Sequence, residues 1–137
     1  MSGSPIFILD ANVFITASRR YYAFDLVPTF WSALIEHANA GHIVSVDRVR
    51  DEISRGNDDL SVWANGDFHH AFQSTNDSEV LARYTEIIAW SQNQNQYNSA
   101  AKAEFARAEN ADPWLVAYAA VHGGIVVTHE VIDPNVR

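Results

Sequence analysis

Four apolar residues without alternation, Ile6-Phe7-Ile8-Leu9, run directly into Asp10. An unbroken run of this kind reads as a strand buried on both faces, the habit of parallel sheets covered by helices. Two more segments, Ile43-Val44-Ser45-Val46 and Ile125-Val126-Val127-Thr128, each with three apolar residues in four, read as a second and a third strand. Between them the spacing is helical. Val13 to Arg20 forms a short helix leaving the first strand. Pro28 suits a first helical position, Phe30, Trp31, Leu34, Ile35 and Ala38 fall on one stripe, and Gly41 supplies a stop. Asp47 reads as the N-cap of a helix through Ile53 that ends near Gly56, with Val49 and Ile53 facing the core and Glu52 at the margin of that face. The middle of the chain, Asn57 to Gln96, reads as helical and polar at its joints, with Val80, Leu81, Tyr84, Ile87 and Ile88 at helical spacing behind an Asn76/Glu79 cap pair. Ser99 to Glu109 is Ala-rich and helix-favouring, and the last helix runs from an Asp112 N-cap through Pro113 to a Gly123 stop. Alternating strands and helices predict an α/β fold, a three-layer α/β/α arrangement around a central parallel sheet, in a single domain over residues 1–137.

Composition narrows the class. The 47% hydrophobic content, with four Trp, five Tyr and seven Phe, suffices for a core in a chain of 137 residues. The absence of cysteine excludes disulfides and thiolate zinc sites and points to the cytoplasm. The opening Met1-Ser2-Gly3-Ser4-Pro5 has no basic region and no apolar run reaches bilayer length, so the expectation is a protein neither secreted nor membrane-bound. A net charge of −8, from 9 Lys+Arg against 17 Asp+Glu, argues against a protein that coats nucleic acid by long-range attraction. It leaves room for an enzyme that meets phosphates through a metal. Five of the nine basic residues, Arg19, Arg20, Arg48, Arg50 and Arg55, lie in the first 55 positions, and Arg19, Arg48 and Arg50 are candidates for guiding phosphate.

The candidate chemistry is carboxylate chemistry. Asp10 ends the first strand, where ligands sit in open α/β sheets, although an aspartate there also serves to cap a turn. Glu52 lies on a helix margin, Asp112 at a helix start, where capping alone would account for it, and Glu130 just after the last strand. With right-handed crossovers these four positions can converge on the carboxyl edge of the sheet. Crowded carboxylates repel unless a cation neutralises them, and hard oxygen ligands without cysteine favour Mg²⁺ or Mn²⁺. Phosphodiester hydrolysis is the natural chemistry of such a pocket.

Four segments in this order resemble the PIN-domain family of VapC-like toxin ribonucleases. Ile8-Leu9-Asp10-Ala11-Asn12-Val13-Phe14 matches its opening strand-Asp-x-Asn element, and Val49-Arg50-Asp51-Glu52-Ile53 its acidic helix. Asp112 before an amphipathic helix matches the third acidic position, and Val126-Val127-Thr128-His129-Glu130 resembles a Thr-x-Asp element with Glu in place of Asp. Tyr21-Tyr22-Ala23-Phe24-Asp25 and the run Ala111 to Val116 suggest an uncharacterised PIN-like branch. The resemblance implies an Mg²⁺- or Mn²⁺-dependent endoribonuclease that leaves a 5′-phosphate and a 3′-hydroxyl, and the toxin of a toxin–antitoxin pair. Asp10 and Asp112 would ligate the ion, Glu52 would complete or adjust its shell, and Glu130 would act directly or through water. Asn12 would orient Asp10 or a water, and Thr128 would support the network. Implied partners are RNA, a protein antitoxin that directs a basic side chain at the pocket, and a second copy of the chain. Family members usually continue through a further strand and helix, which the sequence to Arg137 does not accommodate; the expected consequence is an exposed sheet edge for a partner or second copy to cover.

Other readings are weaker. A haloacid-dehalogenase-like phosphatase needs a second aspartate where Asn12 stands, and a response-regulator-like receiver needs paired acids before Asp10, where only apolar residues occur. A catalytically degenerate PIN-like module acting by protein binding stays open, as does a metal-dependent phosphatase. His69, His70 and His129 match no zinc spacing. Trp31, Trp63, Trp90 and Trp114 could stack on bases, but core packing accounts for most of them. Asp51, Asp58 and Asp59 read as solvated or capping charges.

Overall fold

Three of the strands fall where apolar-rich runs predict them. In a computed structural model that describes residues 5–56, 58–94, 98–107 and 110–128, β1 is Phe7–Leu9, β2 is Ile43–Val46 and the last strand is Ile125–Val127. A further strand, Phe72–Gln73, lies inside the stretch predicted to be helical. It is β3, and Ile125–Val127 is therefore β4. With one apolar residue in two, β3 has no local signature; pairing of Phe72 with Ser45 and of Gln73 with Val46 makes it a strand. All three pairings are parallel, and the order across the sheet is β3-β2-β1-β4.

The helices are α1 Ala11–Thr16, α2 Pro28–Asn39, α3 Asp47–Ser54, α4 Asp59–Asn65, α5 Ser78–Gln92, α6 Ser99–Phe105 and α7 Asp112–His122. The chain thus has an α/β fold with an all-parallel sheet flanked by helices, compatible with three layers. The first helix begins two residues before the predicted Val13 and widens over Ala17–Tyr21 into a π-helical turn, in which Tyr22 N–H reaches back to the Ala17 carbonyl at 2.7 Å. The Trp31 indole N–H donates to the Tyr22 carbonyl at 2.6 Å and fixes where that turn ends.

Three predicted caps are differently made. Asp47 is the first residue of α3 rather than its N-cap, and its carboxylate accepts from Thr75 N–H and Oγ at 3.2 and 2.8 Å, joining α3 to the loop before α5. Asp77, not Asn76, caps α5, accepting from Glu79 N–H at 2.9 Å. Ala111 precedes α7, so Asp112 is its first residue and not its cap. The Gly123 stop is as predicted: its φ of +77° is a conformation that side chains rarely adopt. The next residue, Gly124, lies so close to β1 that a Cβ would stand 2.8 Å from Ile8 Cδ1.

The core gathers Ile8, Phe14, Val46, Val49, Phe68 and Leu115 between sheet and helices. Trp63 stacks on Phe68 at 4.4 Å and Phe14 meets the Phe68 edge at 5.6 Å. A second cluster joins Val80 of α5 to Trp114 and Ala117 of α7, with Tyr84 stacked on Trp114 at 3.8 Å. Trp31, Trp63 and Trp114 are core residues, whereas Trp90 is 55% exposed. Among the described residues, no helix is long and apolar enough to cross a membrane.

From β1 the chain moves outward to β2 and β3, then returns to place β4 on the other side of β1. The strand order therefore reverses between β1 and β4. In open α/β sheets the crevice outside the carboxyl ends at such a reversal is where ligands bind.

Candidate active site

Asp10 stands in that crevice. Its N–H still belongs to the sheet, donating to the Val127 carbonyl at 3.0 Å, while its extended backbone (φ −78°, ψ 158°) turns the chain into α1. The carboxylate makes no capping bond to α1, so the turn-capping role open in the sequence is not the one it has. Instead Oδ2 accepts the Thr128 hydroxyl at 2.7 Å. The parallel register pairs Leu9 with Val127, which brings the next residue of each strand, Asp10 and Thr128, side by side. Asp10 is only 4% exposed. Behind it, Ser45 Oγ donates to the Leu9 carbonyl at 2.6 Å and locks the end of β1 to β2.

Asp10, Asn12, Glu52 and Asp112 line one cleft of about 320 Å³. Asn12 is exposed in the first turn of α1. Glu52, half-buried on α3, accepts the Ala111 N–H through Oε1 at 2.7 Å. Ala111 is the residue before α7, so a side chain of α3 takes up an N–H group that the helix start cannot satisfy within itself. That bond ties the helix bearing Glu52 to the one bearing Asp112. Asp112, exposed in the first turn of α7, donates its own N–H to Asn110 Oδ1 at 3.0 Å, and its carboxylate lies where the helix dipole favours negative charge. Thr128 reaches the site through Asp10 and is not itself part of the cleft lining. Glu130, the fourth expected acid, and His129 lie outside the described residues.

The basic residues of the site differ from those the sequence singled out. Arg55 and Arg107 line the cleft, together with Asn110 and Ile15. Arg48 has a structural position: its guanidinium lies 4.2 Å from the centre of the Trp114 ring and its Nε donates to Thr75 Oγ at 3.2 Å. Arg50 faces the adjacent Asp51 at 3.8 Å, and Arg19 is exposed on the π-helical turn. Arg55 carried a local signal, since it follows Glu52 by three residues and so shares its helix face. Arg107 and Asn110 carried none beyond standing shortly before Asp112.

Among the described residues, no three His, Asp or Glu side chains form a group arranged to hold a metal ion. The donor set nonetheless suits Mg²⁺ or Mn²⁺. It consists of hard carboxylate and amide oxygens, and Mg²⁺ keeps several waters while taking one or two protein carboxylates. His69 and His70 are exposed on a short turn away from this lining. The model of a family described as a domain of unknown function (DUF4411) matches residues 7–137. No curated protein and no solved structure matches the chain.

Proposed function

The chain belongs to the DUF4411 family, and from that premise we propose that it is a PIN-like, Mg²⁺- or Mn²⁺-dependent endoribonuclease. The observation that carries this reading is the convergence of Asp10, Glu52 and Asp112, from three distant segments, on one cleft at the strand-order reversal. Asp10 and Asp112 would hold the ion and Glu52 would adjust its shell from the α3 side. When bound, a divalent ion supplies a water of lowered pKa and positive charge for the phosphoryl group.

The protein's own residues do the rest. Thr128 fixes the orientation of Asp10 by donating to one carboxylate oxygen, as outer-shell partners of metal ligands do. Glu52, bonded to Ala111 N–H, sets where α7 begins and thereby where Asp112 stands. Asn12, exposed at the cleft, offers an amide to orient water or substrate. The reading extends to a cytoplasmic toxin held in check by an antitoxin. A net charge of −8 suits a basic inhibitor. β4 ends the sheet among the described residues with Ile125 49% exposed, which suits a second copy of the chain at that edge.

Purified protein incubated with total RNA and Mn²⁺ is expected to cut it, leaving 5′-phosphate and 3′-hydroxyl ends, and to stop cutting in EDTA. Asp10→Asn is expected to fold normally by circular dichroism and to lose cleavage to below detection. Undiminished cutting by a folded Asp10→Asn protein would overturn the assignment.

A further inference from the structure

We propose that His37 and His42 form a two-histidine zinc site at the end of the sheet opposite the cleft. The site follows from how α2 stops. Gly41, at a φ of +82°, donates its N–H to the Ala38 carbonyl at 3.0 Å, and His42 N–H reaches the His37 carbonyl at 2.9 Å. These two bonds close the helix as a Schellman motif, which folds the residue after the glycine back onto the last helical turn. Two apolar side chains commonly meet at that place. This chain has an imidazole at each of the two positions, His37 in the last turn of α2 and His42 just beyond it. Their Nδ1 atoms stand 3.3 Å apart.

That separation selects the ligand. Zn–N bonds of about 2.0–2.1 Å at the tetrahedral angle place two nitrogens about 3.3–3.4 Å apart, whereas ligands at a right angle would stand about 2.9 Å apart. The observed spacing is the tetrahedral one, and it is long for a hydrogen bond between the two rings. Imidazole nitrogens suit zinc and are not the hard oxygens that Mg²⁺ or Mn²⁺ takes. Both rings are exposed, so the ion enters directly and water fills its other positions. Two protein ligands are fewer than the three or four of a lasting zinc site, so the ion exchanges. Its effect is mechanical. It ties the last turn of α2 to the residue before β2, whose carbonyl accepts Phe7 N–H of β1 at 2.9 Å. Asp10 follows the other end of β1, which separates this site from the candidate active site.

The test is a Zn²⁺ titration of the whole chain, followed by long-range proton–nitrogen NMR of the imidazole rings. The Nδ1 signals of His37 and His42 are expected to shift together as Zn²⁺ is added and to stay in place with Mg²⁺. His37→Gln and His42→Gln keep a polar side chain of similar reach and remove one ligand, so each should abolish the shift in the remaining ring. Because zinc held by the folded state stabilises it, the thermal midpoint should rise with Zn²⁺ concentration by more in wild type than in either variant. Asp10→Asn should leave both shifts in place, which separates this site from any binding in the cleft. A shift in one ring alone, a shift at Nε2 instead of Nδ1, no shift at all, or loss of both shifts in folded Asp10→Asn would overturn the proposal. The wild-type titration decides it even where a Gln variant fails to fold.

Discussion

A hydrogen bond between Asp10 and Thr128 spans 118 positions of sequence, yet each partner is simply the residue that follows a paired strand position. Because Asp10 is nearly fully buried, its oxygen has little water to turn to if the hydroxyl is removed. Thr128→Val is therefore expected to destabilise the fold by about 1–3 kcal/mol in urea unfolding, with Thr128→Ser recovering most of the loss. On the proposed function, Thr128→Val should also weaken Mn²⁺ binding by about 10–100-fold. Equal stability and metal affinity in the Val and Thr proteins would remove Thr128 from the site. Asp10 itself was legible from sequence because its signal is local, an acid at the end of an apolar run. Which arginines line the cleft was not. Arg48 and Arg55 are seven residues apart on or beside one helix, and only the packing of Arg48 over Trp114 separates a structural cation from one that lines the cleft.

Helix boundaries show the same division one level up. Apolar periodicity located α2, α3 and α5 because burying one face requires it, and Pro113 and Gly123 marked out α7, whereas the caps depended on which acceptor the fold brings near each start. Asp58 caps α4 through a reciprocal bond with Ser61, which local sequence can specify. Asp47 was drawn off to Thr75 by the β3–α5 connection, which nothing near residue 47 announces. The α5–α7 pair also carries a pH dependence. Burial, and after it the nearby Asp77 carboxylate, raise the Tyr118 phenol above its ordinary value of 10.0. A phenol that is harder to ionise when folded contributes stability that is complete below about pH 10 and is lost as pH rises through the raised folded value. Tyr118→Phe should therefore unfold less steeply with pH above about 10 than wild type, as measured by urea midpoints across an alkaline series. Identical slopes would show that the phenol does not contribute. Asp77 also lies 3.4 Å from His122 Nε2, so the same carboxylate meets two residues of α7 as well as the start of α5.

For the molecule as a whole, the decisive quantity is a net charge of −8, set against a cleft that on the proposed function receives RNA. Without a divalent ion, repulsion dominates, and added monovalent salt should slightly strengthen the small residual RNA binding by screening it. With Mn²⁺ present, phosphate contacts dominate and the same salt should weaken binding. Anisotropy titrations with and without EDTA would read this change of sign; weakening by salt in both conditions would show that binding occurs on a basic surface away from the cleft. The sequence by itself determined the parallel α/β plan, because runs of apolar residues and helical stripes are local consequences of burial. It also determined the acids worth testing, because strand ends and helix starts are visible as pattern. The tertiary structure decided which side chains share a cleft: β3, the Asp10–Thr128 bond, the Glu52–Ala111 tie and the entry of Arg55 and Arg107 all arise from contacts between segments distant in sequence or facing a common space. Such contacts depend on register and crossover, and neither is written in the identity of neighbouring residues.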